Sequence, residues 1–267
     1  MPGFVIDGVQ EQVEGLSCLS WLDNPRFHLS REDFGRRATR WVRAIVLHTT
    51  SGKVGQVLPG LGPDRHVDEK VLSYWSTSPS SGGAHIVVDS DGSMLCCADL
   101  QAEAAWHATS VNQHTIGIEI GQTYVGSVAT VYEEQLRVVR VLVDWLTRRF
   151  RIQRQVQSPY HSSDHPVPRL VQGGVDVVGV YGHRDQTHDR GEGDPGNSII
   201  EMLLEVGYKG FDFALDSDRT YWKAIQEMLN RTYHAALHVD GIPGPGTARA
   251  LEAAGYPHGL MLTRPGD

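Results

Sequence analysis

The sequence predicts an α/β fold: a mixed central β-sheet flanked by helices, with a small helical module at its C-terminal end. Three observations lead there. Short apolar, β-branched runs recur at Arg43–His48, Ala84–Val88, Thr115–Ile120 and Val175–Tyr181. Segments with helical apolar spacing lie between them, the order that builds a sheet covered by helices. Near Gly210 the strand pattern stops and two helix-like segments follow.

Residues 1–40 are mixed in character and rich in turns, with Asn24-Pro25 as one turn signal, and are expected to form an N-terminal arm packed on the main domain. Residues 41–209 form that main domain. Arg43–His48 is short, apolar and β-branched, as a fully buried strand is. A loop rich in Gly and Pro (Ser51–Asp64) precedes a helix over Val67–Ser76. Ala84–Val88 is the next strand, Asp89-Ser90-Asp91-Gly92 supplies hairpin turn chemistry, and Ser93–Ala98 is the return strand. Thr115–Ile120 is a further strand. Glu133–Arg149 places Leu136, Val139, Leu142, Val143 and Leu146 on one helical face. Val175–Tyr181 is a buried strand that delivers His183 to its C-terminal end. In residues 210–267, Tyr221–Asn230 is amphipathic through Trp222, Ile225, Met228 and Leu229, and Ala248–Ala254 is helix-like.

Composition narrows the function classes. A chain of 267 residues can bury a large core, and 40% hydrophobic with 21% charged residues is ordinary for a globular protein. The net charge of −8 leaves no basic footprint for nucleic acid. Nor does it steer the protein toward anionic polymers, so any grip on such a target comes from specific contacts. The three cysteines, Cys18, Cys96 and Cys97, lack C-x-x-C spacing and read as core residues. The first residues show no basic n-region or long apolar stretch, and no apolar run reaches membrane-spanning length. The expectation is a monomer made in the cytosol without a Sec signal, with no membrane insertion.

Two histidines and an aspartate stand out. His48 ends the apolar run Ala44-Ile45-Val46-Leu47, His183 follows Val180-Tyr181-Gly182, and Asp194 is stiffened by Pro195-Gly196. Strand ends are rigid places from which to hold ligands. Two neutral imidazoles and one carboxylate suit a catalytic zinc site, with three protein ligands and an open fourth position. Such a site acts on amides, esters or phosphates. With 13 histidines in the chain, separate polar residues at strand ends are the competing reading. Glu119 lies inside Ile116-Gly117-Ile118-Glu119-Ile120, where a carboxylate is costly unless it is paired or functional. It is a candidate general base, the alternative being an edge-strand glutamate pointing to solvent.

Leu47-His48-Thr49-Thr50, Ala84-His85-Ile86, Ala105-Trp106-His107-Ala108, Asn112 with Thr115–Ile120, Gly182-His183-Arg184-Asp185 and Asp194-Pro195-Gly196 occur in this order. Over roughly residues 40–205 this set resembles the zinc-dependent type-2 N-acetylmuramoyl-L-alanine amidases, a family that includes peptidoglycan recognition proteins and many phage endolysins. The resemblance implies hydrolysis of the amide between N-acetylmuramic acid and L-alanine of the peptidoglycan stem peptide. It implies Zn2+ held by His48, His183 and Asp194, with Glu119 as the acidic catalytic residue. Trp106, His107 and Asn112 fall on positions that line or brace the substrate groove, and His85 on a position beside the site; all four are candidate substrate-binding residues. One departure is plain: the family's catalytic members often carry a lysine two residues before the last ligand, and here that residue is Glu192. Arg190, His188, His107 or the zinc itself must then supply positive charge to a developing oxyanion, and Arg190 is the candidate catalytic cation. Glu192 also keeps a second class open, a non-catalytic muropeptide-binding protein. The tail, through Val239-Asp240-Gly241-Ile242-Pro243-Gly244-Pro245-Gly246-Thr247, resembles part of a three-helix peptidoglycan-binding module; a helical extension packed on the catalytic domain is the alternative. Peptidoglycan is the expected partner. A phage endolysin, a delivered antibacterial toxin acting at the cell wall, or a cytosolic recycling enzyme would each suit these features.

Overall fold

The computed structural model describes residues 2–29, 33–38, 40–50, 67–77, 82–121, 123–125, 128–157, 179–183, 194–211, 219–242 and 245–253. In chain order the strands are β1 (Phe4–Ile6), β2 (Val9–Glu11), β3 (Cys18–Ser20), β4 (Phe34–Arg36), β5 (Ala44–Thr49), β6 (Ile86–Val88), β7 (Met94–Cys96), β8 (Glu103–Ala105), β9 (Thr115–Ile120), β10 (Thr123–Val125), β11 (Val128–Thr130), β12 (Gln155–Gln157), β13 (Gly179–Gly182) and β14 (Lys209–Phe211). The α-helices are α1 (Val67–Thr77), α2 (Glu133–Arg149), α3 (Asn197–Glu205), α4 (Arg219–Tyr233) and α5 (Pro245–Ala253).

Among the described residues, eight strands form the main sheet in the order β14-β12-β13-β5-β9-β6-β7-β3. The strands from β14 to β6 run parallel, β7 returns antiparallel to β6, and β3 lies parallel to β7. The fold is therefore α/β with a mixed sheet. The strand alternation decides what each face carries, because successive side chains point to opposite sides. Ile45 and Leu47 of β5 and Ile116, Ile118 and Ile120 of β9 join Val138, Val139, Leu142, Val143 and Leu146 of α2 and Ile199, Ile200 and Leu203 of α3 in the main core. Truncating any one of these large side chains to Ala is expected to cost about 2–5 kcal/mol. On the other face Val87 and Leu95 pack with Val71, Leu72 and Trp75 of α1. The same alternation assigns His48, Thr115, Gly117 and Glu119 to this second face.

Helix α2 begins and ends where the apolar stripe predicts. Glu133 and Glu134 open it and Arg148 and Arg149 close it, complementing the helix dipole. Gln135 reaches back to accept from the Tyr132 N–H at 3.0 Å. The β6–β7 turn closes with Gly92 N–H donating to Asp89 O at 3.0 Å. Gly92 has φ +85°, a left-handed conformation that strains any other residue.

Residues 1–40 are woven into the sheet more deeply than a packed arm. β3 extends the sheet at its edge, β4 pairs antiparallel with β8, and Leu100 N–H donates to Val5 O at 2.9 Å. Three-residue strands are too short to show a period, which is why sequence patterning passes over them. At the far edge β14 lies across the division expected at residue 209. The expected strand Val175–Tyr181 is described only from Gly179, and residues 175–178 lie outside the described residues. Cys18, Cys96 and Cys97 are buried thiols that form no disulfide, and burial pushes the Cys96 thiol up to about 12. In the tail the side chain of Gln226 is buried. It donates to Asp240 Oδ1 at 2.9 Å and Ile242 O at 3.1 Å and accepts from Gly241 N–H at 2.8 Å, tying α4 to the turn before α5. Among the described residues no helix is long and apolar enough to cross a membrane.

Candidate metal centre

The parallel register of β13, β5 and β9 assembles the site. Gly182 pairs with Leu47, which sets His183 next to His48, and His48 pairs with Glu119. Residues in register share a face, so one row across the carboxyl ends of the strands reads His183, His48, Glu119. β9 lies between β5 and β6, so Glu119 is a central-strand residue and not an edge-strand one; it is partly buried.

Asp194 closes the row from the loop before α3. Its Oδ2 lies 3.3 Å from His183 Nδ1, and its Oδ1 accepts from the Thr49 N–H at 3.0 Å. His48 Nδ1 is 3.1 Å from His183 Nδ1. One ligand atom from each of the three residues lies within 4.8 Å of the others, and all three are buried. Two donors each about 2.0–2.1 Å from a tetrahedral zinc stand about 3.3 Å apart, so these separations fit a shared ion. The donor chemistry fits equally, with two imidazoles and one carboxylate. Burial alone pushes the Asp194 carboxyl up. The His183 hydrogen bond, the His48 and His183 charges and the Thr49 N–H outweigh it and hold the group below the ordinary carboxylate range, the form a cation needs.

Behind His48 runs a second line of contacts. His48 Nε2 is 2.9 Å from His107 Nδ1, and His107 Nε2 is 3.0 Å from Thr115 Oγ1. The Thr115 hydroxyl donates to Val111 O at 3.0 Å. The His107 ring lies over Gly117, where a Cβ would stand 2.5 Å from its Cγ, so only glycine leaves room for it. Burial, then His85 and the Arg37 guanidinium, hold the His107 ring well below the ordinary imidazole range.

The remaining residues expected at the groove separate into two groups. Trp106 is half exposed, with its indole Nε1 beside Gly35 of β4. Asn112 turns inward: its Oδ1 accepts from the backbone N–H groups of His107 at 3.1 Å and Ala108 at 2.7 Å, bracing the loop that carries His107. His85 is fully buried, its Nδ1 accepting from Gly117 N–H at 3.0 Å and its Nε2 2.8 Å from Arg37 Nη2. As placed, its ring is wholly covered. Arg190, with His188, Glu192 and the rest of 184–193, lies outside the described residues.

Arg37 was not legible as a site residue. It comes from the N-terminal segment, is buried, and donates to Asn112 O at 2.9 Å and Thr115 O at 2.7 Å. Burial lowers its guanidinium to about 10, still well above neutral pH. No sequence signal marks it, because one of several arginines in a turn-rich stretch (Arg31, Arg36, Arg37 and Arg40) reads as solvated. Thr115 and Gly117 did carry a signal: alternation in Thr115-Ile116-Gly117-Ile118-Glu119-Ile120 puts both on the face of Glu119.

The site is thus a His-His-Asp cluster at the carboxyl end of a mixed sheet, with two ligands set by β5 and β13 and the third by the loop before α3. The family model for N-acetylmuramoyl-L-alanine amidase (Amidase_2) matches residues 37–197, and the chain belongs to that family. No curated protein matches the chain. Among solved structures, AmpD shares 14% identity over 72% of this chain and 96% of its own, with a TM-score of 0.43. A Clostridium intestinale endolysin, the N-acetylmuramoyl-L-alanine amidase LysCS, shares 18% over 78% and 98%, with a TM-score of 0.39. Drosophila peptidoglycan recognition protein SD shares 13% over 74% and 99%, with a TM-score of 0.47.

Proposed function

We propose that the chain is a zinc-dependent amidase that cleaves the bond between N-acetylmuramic acid and L-alanine of the peptidoglycan stem peptide. The observation that carries this reading is the buried His48–His183–Asp194 cluster, with Glu119 in register beside it, in a chain of the amidase family. Zinc bound there supplies Lewis-acid polarisation of a carbonyl and acidifies water at an open position. His48, His183 and Asp194 hold it. Glu119 accepts a proton from the attacking water at its carboxylate and returns it to the leaving amine of L-alanine. Half-exposed Trp106 gives sugar or peptide an apolar surface to stack on. His107 and Asn112 act through the backbone and through His48. Arg190 is proposed to supply the positive charge that Glu192 cannot.

Peptidoglycan is the proposed partner, engaged by a monomer at the bacterial wall, and the α4–α5 tail is proposed to hold the polymer. Endolysin-like or antibacterial delivery belongs to the same proposal. Glu192 favours one alternative, a muropeptide-binding protein without turnover. Digestion of purified peptidoglycan by the zinc-loaded protein, followed by mass spectrometry, separates these readings. Free stem peptides with an L-alanine amino terminus are the expected products. Disaccharide products reject the amidase, and binding without cleavage selects the alternative.

A further inference from the structure

We propose that Thr115 is a positioning residue that works through His107 to fix the tautomer of His48, and so sets the affinity of the metal centre. The proposal rests on the zinc reading above, and its logic is one of hydrogen-bond direction. A neutral imidazole carries one N–H, and which nitrogen holds it is set by the partner of the other. At one end of the line stands Val111 O, a carbonyl that can only accept. The Thr115 hydroxyl lies 3.0 Å from it and has a single proton, which it donates there. Its oxygen then has only lone pairs to offer His107 Nε2 at 3.0 Å, so that nitrogen carries the proton. His107 Nδ1 is left as an acceptor and takes the N–H of His48 Nε2 at 2.9 Å. His48 Nδ1 is then bare, and it is this atom that faces His183 Nδ1 at 3.1 Å within the donor cluster.

Every link points one way, from the cluster toward a backbone carbonyl. Reversing either imidazole link, Thr115 to His107 or His107 to His48, puts a proton on His48 Nδ1, where a metal must bind. The line is rigidly held. Thr115 is fully buried, and its own carbonyl accepts from Arg37 Nη2 at 2.7 Å. Asn112 grips the backbone of His107, and Gly117 leaves the ring its seat. Partners of this kind typically change metal affinity about ten- to a hundredfold.

The test compares zinc affinity, by competition with a chromophoric chelator, in the parent, Thr115→Val and Thr115→Ser. Valine keeps the shape and removes the oxygen; serine keeps the oxygen. The expected result is a loss of about ten- to a hundredfold for Thr115→Val, with Thr115→Ser near the parent. His107→Phe, which keeps a ring over Gly117 but offers no acceptor, should lose at least as much, and it serves if Thr115→Val does not fold. Ring nitrogen NMR of the zinc-loaded parent should place the proton on Nε2 of both His48 and His107. A Thr115→Val affinity within about twofold of the parent overturns the relay, as does a proton on His107 Nδ1. A parent that binds no zinc overturns the metal reading itself, and the relay with it.

Discussion

Gly117→Ala is the sharpest probe of how the site is packed. The added Cβ would stand 2.5 Å from His107 Cγ, 2.6 Å from its Nδ1 and 2.8 Å from its Cδ2. Carbon atoms in contact rest about 3.5–4.0 Å apart, so the ring must retreat by about 1 Å. The His48 to His107 separation is 2.9 Å. Adding about 1 Å carries it beyond hydrogen-bonding range. The ring has no easy exit, because Thr115 Oγ1 lies 3.0 Å from its other nitrogen and the Asn112 side chain holds its backbone. Overpacking of this kind costs about 1–3 kcal/mol. For a chain of this size that is a fall in melting temperature of about 2–10 °C. Zinc affinity should fall about tenfold or more, since His48 loses the partner that orients it. Thermal unfolding followed by circular dichroism, with and without zinc, and chelator competition measure both effects. A variant with the parent's melting temperature and zinc affinity would refute the packing relation between Gly117, His107 and His48.

Other outcomes follow from the same geometry. His48→Ala and Asp194→Ala should each lose bound zinc, measured by atomic absorption, together with wall lysis; full lysis by a metal-free Asp194→Ala protein would end the zinc mechanism. Glu119→Gln should keep its zinc while turnover on peptidoglycan falls about 10²- to 10⁴-fold, and an unchanged rate would remove its role as proton carrier. Trp106→Ala should raise the KM for muropeptide with little change in kcat or zinc content; an unaltered KM would take Trp106 out of the groove. Burial, then the Arg37 charge, keeps His85 well below the ordinary imidazole range, so below about pH 6.5 the unfolded chain takes up a proton that the folded chain refuses. Stability of the metal-free protein should therefore fall as pH drops from 7 to 5, by at most about 1.4 kcal/mol per pH unit from this residue. Urea midpoints should show a shallower slope for His85→Gln, and equal slopes would contradict the assignment.

Much of the domain was legible in advance, for particular reasons. Thr115–Ile120 and Glu133–Arg149 match their expected bounds because each carries a long, unbroken period, of two and of 3.6 residues. The Asp89–Gly92 turn was legible from its residues alone. β3, β4, β8, β12 and β14 were not, since their three residues, unlike those of β6 and β7, lie in no longer apolar run and their partners come from elsewhere in the chain. His48, His183 and Asp194 were identified by residue type and by the order of their motifs, and the fold brings them together. His85 was expected beside the site; that it is fully buried against Arg37 was not legible, because Arg37 arrives from a segment with no motif of its own.

The sequence by itself determined the chemistry available. Alternation told which side chains of a strand share a face, and residue types told which of them have the chemistry to hold a metal or carry a proton. Only the tertiary structure decided which strands are neighbours, and hence that His183, His48 and Glu119 form one row while Thr115 and His107 stand behind it. Period two encodes a face but not a partner. Pairing and register are settled by the cooperative burial of the two faces, which acts on the whole chain at once.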